Sequence, residues 1–412
     1  MKTRWNRIAV CGALAIVILP GLALGQCSGS SAISLFFDPS TRSLGMGGAS
    51  GPVFWGGDPN DWANPALLGY HQGIRFRYDK ARLVPDLAAD VFWSSTRISM
   101  GAYGLGLSFA GMPDHLGGAR LDYGTSFAVD TGGQIIGSFD SWEEVDSFGL
   151  GINVLELTES LLGHWSEAPG LNRWGDVSIG WARKTVDVNL APAAFLSGGL
   201  ARDGAQTNDI GFLLRFRPFD SIEREGSGPR LESLGGWRLD LAYAMSWRNY
   251  EDASLTFLEA APPDPIGRDE RIGIAVHAAT GLPPDWRDRF EAKELGWLAE
   301  AFSPFLELGF AWDRSNITLP GGSERSDCST ENLYGLELVV AKVVSLRWGY
   351  GDGDSTHGSN WGLGLGFSLG DIAGVRYDHA TIAQAEGLQR KRMQGVSVYF
   401  DGVALARRLR AP

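Results

Sequence analysis

The sequence predicts an all-β fold: an antiparallel transmembrane β-barrel of about 14 strands with an N-terminal hatch segment. Three observations carry this expectation. An export signal opens the chain, and segments of about ten residues then alternate apolar with small or charged side chains along its length. Between the two lies a glycine-rich stretch, Thr41 to Tyr70, that does not alternate. The expected organisation is a signal peptide at 1–25, a hatch at 26–70, the barrel at 71–402 and a C-terminal tail at 403–412.

At the start, Lys2, Arg4 and Arg7 precede an apolar run from Ile8 to Leu24 that ends on Ala23-Leu24-Gly25. A positive flank, an apolar core and a small-residue ending describe a secretory signal peptide, and Pro20 sets the run apart from an anchoring helix. Its removal takes three cations and moves the formal net charge from −12 to −15. No basic stripe is present, so bulk charge argues against nucleic acid as a partner. Cys27 and Cys328 remain after removal, and whether they pair is left open.

The barrel strands follow from period-two patterning. In Arg238 to Arg248, Leu239, Leu241, Tyr243, Met245 and Trp247 fall on one face, and Arg238, Asp240, Ala242, Ala244, Ser246 and Arg248 on the other. Similar runs occur at Ser147 to Val154, Asp209 to Arg217, Arg271 to His277 and Leu306 to Asp313. Charges such as Arg215, Arg217, Arg238, Asp240, Glu307 and Asp313 sit mid-strand, where a dry sandwich core would leave them desolvated. A membrane barrel turns its oily face to lipid and its charged face to a wet or plugged lumen.

Tryptophans 93, 142, 174, 181, 237, 247, 312, 348 and 361 are expected on the apolar face or at strand ends, as an interfacial girdle. Short passages at Phe92 to Ser99 and Ala341 to Ser345 are expected at one rim. Long connections such as Leu155 to Trp174, Leu190 to Thr207 and Pro218 to Gly235 are expected at the other. Within one long connection, Trp286 to Ala301 has helical spacing. Gln394 to Phe400 reads as the final strand, the element that barrel-assembly machinery would recognise, with Arg407, Arg408 and Arg410 in the tail beyond it.

The glycine-rich stretch has two parts, Arg42-Ser43-Leu44-Gly45-Met46-Gly47-Gly48-Ala49 and Asn64-Pro65-Ala66-Leu67-Leu68, with Asp58 between them. In these motifs it resembles the opening of the PorV/PorQ branch of outer-membrane proteins, related to the FadL long-chain fatty-acid transporters. Leu67 stands where that pattern has glycine, and Gly56-Gly57 and Asp61-Trp62 alter the middle. The resemblance implies a fourteen-stranded barrel in the outer membrane with an inward-folded hatch. It also implies one of two roles: passage of hydrophobic small molecules, or a carrier and scaffold in protein secretion.

The hatch composition has its own logic. Glycines at 45, 47 and 48 let backbone approach the wall closely. Asn64 is placed to cap a helix beginning at Pro65, whose missing donor costs nothing at the first helical position. Met46, Phe54, Trp55, Trp62, Asn64, Pro65, Leu67 and Leu68 are therefore the hatch and ligand-path candidates, either as an apolar path or as plug packing.

The sequence contains no metal-ligand pair, Walker loop or nucleophile elbow, so neither a catalytic residue nor a cofactor is nominated. Expected partners are outer-membrane lipid and barrel-assembly machinery, together with hydrophobic small molecules or secretion-system proteins. A soluble exported glycan-binding protein is the remaining alternative.

Overall fold

The computed structural model describes residues 31–83, 90–110, 118–129, 134–162, 175–190, 202–218, 237–257, 263–282, 304–319, 326–353, 357–369, 372–384 and 389–410, besides 286, 288–289, 293 and 302. The expected signal peptide and Cys27 lie outside these residues. So does most of the Trp286 to Ala301 segment, of which Trp286, Asp288 and Arg289 are helical.

The wall is a closed antiparallel barrel of fourteen lanes. It begins with β1 (Gly73–Arg82), β2 (Phe92–Ala102), β3 (Leu105–Ala110), β4 (Gly118–Val129) and β5 (Ile135–Asn153). β6 (Gly175–Asn189), β7 (Arg202–Phe216) and β8 (Trp237–Arg248) follow, and then a small ribbon of β9 (Ser254–Leu255) with β10 (Asp264–Pro265). β11 (Arg268–Thr280), β12 (Leu306–Leu319), β13 (Ser326–Val340), β14 (Val344–Asp352), β15 (Gly358–Leu369), β16 (Ala373–Ile382) and β17 (Lys391–Phe400) complete it. The barrel closes where β17 pairs with β1, from Ile74 opposite Phe400 to Arg82 opposite Arg392.

One lane is composite. β3 and β4 run in line between β2 and β5: β2 pairs with β4 through Thr96 and with β3 from Ile98, so only Arg97 falls between them. On the β5 side only Asp146 does.

Strand sidedness follows the alternation in the sequence. On β8, Asp240, Ala242, Ala244, Ser246 and Arg248 are buried in the lumen while Leu241 and Tyr243 face outward. Ile274, Leu308, Leu336, Leu365 and Val398 continue that exposed apolar face around the barrel. Such a face exceeds what a water-soluble surface tolerates and is what a lipid-facing wall requires.

Three expectations need correction. Trp93 is no girdle residue: it turns into the lumen, 1% exposed, and stacks on Phe37 with ring centroids 5.4 Å apart. Trp348 and Trp361, paired across β14 and β15, do face outward. Phe92 to Ser99 is the body of β2 and not a connection. Nor are long and short connections segregated. The rim that carries the ends of β1 and β17, called here the termini rim, has the tight turns at 103–104 and 341–343 and also the connections at 154–174, 217–236 and 281–305. Tightness at the short turns is local chemistry: Tyr103 (φ 55°) and Gly104 (φ 80°) are both left-handed, as a two-residue hairpin demands.

Two helices dress the termini rim: Val154–Leu162 and the tail helix Gly402–Arg410, here α1 and α2. Asp401 caps α2 by accepting from the Val403 and Ala404 amides at 2.8 and 3.0 Å. The tail beyond the last strand is thus a capped helix set across the rim.

Candidate functional site: the hatch and the vestibule

The hatch threads the lumen from one rim to the other. Ser31 makes a parallel bridge to Ile266, beside the start of β11 and so at the rim opposite the termini. A 3-10 turn at Ile33–Leu35 follows, anchored by the Ser34 amide donating to Glu143 Oε2 at 2.8 Å. A short helix, Thr41–Gly45, then starts under the Ser40 hydroxyl, which accepts from the Ser43 amide. Its Arg42 is the chief anchor. Arg42 Nε donates to Glu337 Oε1 at 3.1 Å, and Nη1 donates to the Trp55 carbonyl at 2.9 Å. Glu337 also accepts from Arg347 Nε at 2.7 Å and from Trp55 Nε1 at 3.0 Å, so one buried carboxylate gathers hatch and wall.

Further ion pairs fix the same segment. Asp58 holds Arg77 of β1, and Asp61 holds Arg97, the residue at the junction of β3 and β4. At Gly47 (φ +72°) a Cβ would lie 2.7 Å from the Tyr334 carbonyl oxygen, so the second glycine of the motif is required by both conformation and space.

The other half of the motif packs differently. Asn64 Oδ1 accepts from the Ala66 amide at 3.0 Å and its Nδ2 donates to the Phe212 carbonyl at 3.2 Å, so the cap is also a wall contact. Pro65–Tyr70 then forms a 3-10 helix lying on a row of lumen-facing glycines. Gly101, Gly106, Gly151, Gly180 and Gly211 are successive cross-strand partners over five adjacent lanes. A Cβ at Gly180 would sit 2.1 Å from the Pro65 carbonyl carbon, and one at Gly106 would sit 1.9 Å from the Leu68 carbonyl oxygen. The row is a channel cut for the helix backbone.

The hatch divides the lumen into unlike ends. Toward the rim opposite the termini, Leu35 and Trp62 pack with Trp93, Leu121, Val186, Leu255 and Ile382 into a buried apolar cluster. At the termini rim a cavity of about 890 Å³ is lined by Phe54, Trp55, Tyr70, Arg75, Glu307 and Tyr399 among others, with Val403 and Ala404 of α2 at its edge. Its floor is ordered by stacking. Trp55 lies parallel to His277 at 5.0 Å, and Phe54 meets the Arg215 guanidinium at 4.2 Å. His277 Nε2 is 3.0 Å from Glu307 Oε2, and Arg215 Nη2 donates to Asp240 Oδ1 at 2.9 Å, so the Arg215 and Asp240 charges compensate one another.

The sequence candidates are thereby separated. Phe54 and Trp55 line the vestibule. Trp62 belongs to the apolar cluster, with Lys184 Nζ 4.0 Å above its ring. Met46, Asn64, Pro65, Leu67 and Leu68 are buried against the wall, Met46 beside Gly335 and Leu68 beside Gly151. Glu337, Arg347, His277 and Arg75 were not nominated by sequence. Glu337 had a readable signal, since it alternates with Leu336 and Leu338 in β13.

Two groups at the termini rim have displaced acidities. Burial, then Arg75 and Arg97, push the His71 imidazole down to about 3, so it is neutral at ordinary pH. Burial raises the Glu156 carboxyl on α1, partly opposed by the Gln72 amide that donates to it. Among the described residues no cluster of three or more His, Cys, Asp or Glu side chains is placed to hold a metal ion.

No protein-family model matches the chain. No curated protein matches it by sequence. Among solved structures, the toluene transporter TbuX of Ralstonia pickettii aligns with a TM-score of 0.41 and 13% identity, over 89% of this chain and 98% of that one. A FadL homologue of Pseudomonas aeruginosa gives a TM-score of 0.35 and 9% identity over 92% and 99%. The P. putida toluene transporter TodX gives 0.36 and 11% over 86% and 95%. Similarity at this level leaves function to the geometry.

Proposed function

We propose that this chain is an outer-membrane barrel that binds hydrophobic small molecules and lets them cross. The carrying observation is the pairing of an apolar cluster at one end of the lumen with an aromatic-lined cavity at the other, separated by a hatch seated on backbone contacts. An apolar solute meets matching surface at both ends of the lumen. Passage requires the hatch to shift. Its 3-10 helix lies on a glycine track and is held there by the Ser178 hydroxyl donating to the Ala66 carbonyl and by Asn64 donating to the Phe212 carbonyl, while the Arg42–Glu337 and Asp58–Arg77 pairs fasten the segment before it. These are the contacts that a shift of the hatch has to release.

The exposed belt of Ile274, Leu308 and Leu336 supports placement in a lipid bilayer over a soluble glycan-binding role. A PorV-like scaffold would share the Arg42 to Ala49 motif, but it gives the 890 Å³ vestibule no task. Uptake of a labelled hydrophobic compound by cells carrying the chain in their outer membrane tests the proposal. Equal uptake by cells without it would end this reading.

A further inference from the structure

The vestibule contains a cation that its surroundings leave undercompensated. Arg75 sits on the lumen face of β1, 7% exposed, with its guanidinium over the Tyr399 ring at 5.0 Å. Among the described residues its one carboxylate contact is loose: Nε lies 3.9 Å from Asp58 Oδ1, and Asp58 is already held closely by Arg77. Arg75 Nε makes no hydrogen bond among the described residues. The other arginines lining the cavity differ. Arg215, Arg238 and Arg376 each donate to an aspartate, at 2.9, 2.9 and 3.0 Å.

A guanidinium taken out of water without a close counter-charge is costly, and its fork geometry matches a planar carboxylate in two parallel hydrogen bonds. Arg75 borders a cavity of about 890 Å³, within the usual range for small-molecule sites. Its walls include Phe54, Tyr70, Tyr103 and Tyr399, which offer flat faces and edges to a ring.

We infer that the vestibule binds an aromatic carboxylate, its carboxylate on Arg75 and its ring among these aromatic side chains. The inference deepens the reading of the lumen as a path for hydrophobic molecules, because it assigns an acidic ring compound to one end. It is tested by equilibrium binding, which does not require passage. An intact binding site with no uptake would end the transport proposal alone, and uptake without this binding would end only the present one.

The experiment is a fluorescence titration of the detergent-solubilised full chain with 1-naphthoate, with 2-naphthol as the uncharged ring and dodecanoate as the ringless acid. Saturable binding of 1-naphthoate is expected. Arg75→Gln should weaken it at least about tenfold and Arg75→Lys less, with 2-naphthol indifferent to both. Equal 1-naphthoate affinity in the native chain and Arg75→Gln would overturn the proposal, as would displacement by dodecanoate at equal or lower concentration. Heat-modifiable migration reports whether Arg75→Gln folds. If it does not, the order of the three probes on the native chain decides the matter alone.

Discussion

Arg42 of the hatch and Glu337 of β13 are joined Nε to Oε1 at 3.1 Å with both side chains at most 3% exposed. Because Glu337 also holds Arg347 and Trp55, this is where the plug is fastened to the wall. Arg42→Ala should therefore remove the hatch's bonds to Glu337 and to the Trp55 carbonyl, while Arg347 still compensates Glu337, and weaken seating of the hatch by about 1.5–3 kcal/mol. Limited proteolysis in detergent checks this: cleavage within the hatch should rise steeply while the barrel stays heat-modifiable. Unchanged protection would show that the pair does not hold the hatch.

The glycine row makes a steric prediction. Gly180→Val places a side chain where the Pro65 carbonyl now lies, and no rotamer can avoid contact made at Cβ. Gly402→Ala, whose Cβ would meet only Phe400 Cε1 at 3.6 Å, is the control. The first should expose the hatch to protease and the second should not.

Acid should loosen the same region through His71. Its acidity in the fold, about 3, lies below the ordinary value of 6.5, so the folded state disfavours the charged imidazole. The stabilising contribution is complete above pH 6.5 and is lost as pH falls from there toward 3. Hatch protection measured across that interval should decline in the native chain and decline less in His71→Gln.

The belt is tested at Ile274, which faces outward near the middle of β11 between Tyr243 and Trp312. Ile274→Arg should cost about 2–4 kcal/mol of stability in bilayers, the penalty for a cation on the lipid face near the midplane. Urea unfolding from lipid vesicles measures it. A negligible cost would contradict lipid contact there.

Much of this architecture was legible in the chain. Period-two alternation is a local signal, so the inward Asp240, Arg215 and Asp313 and the outward Leu241 and Ile274 could be read from neighbours in sequence. The Asn64 cap and Pro65 start were readable for the same reason. What escaped was decided by register and by distance along the chain. Trp93 has the composition of a girdle residue and is turned inward only by its place on β2. Likewise, that Gly101, Gly106, Gly151, Gly180 and Gly211 form one row depends on how five lanes are offset. The partnership of Arg42 with a carboxylate 295 residues away has no local signature. Nor does the weak compensation of Arg75, which appears only when every nearby carboxylate has been assigned.

The most direct measurement is uptake of a radiolabelled hydrophobic compound by cells with an intact outer membrane, with and without the chain. The account predicts protein-dependent uptake that rises further in Arg42→Ala, where the hatch is loosened. Uptake that is the same in all three would contradict it.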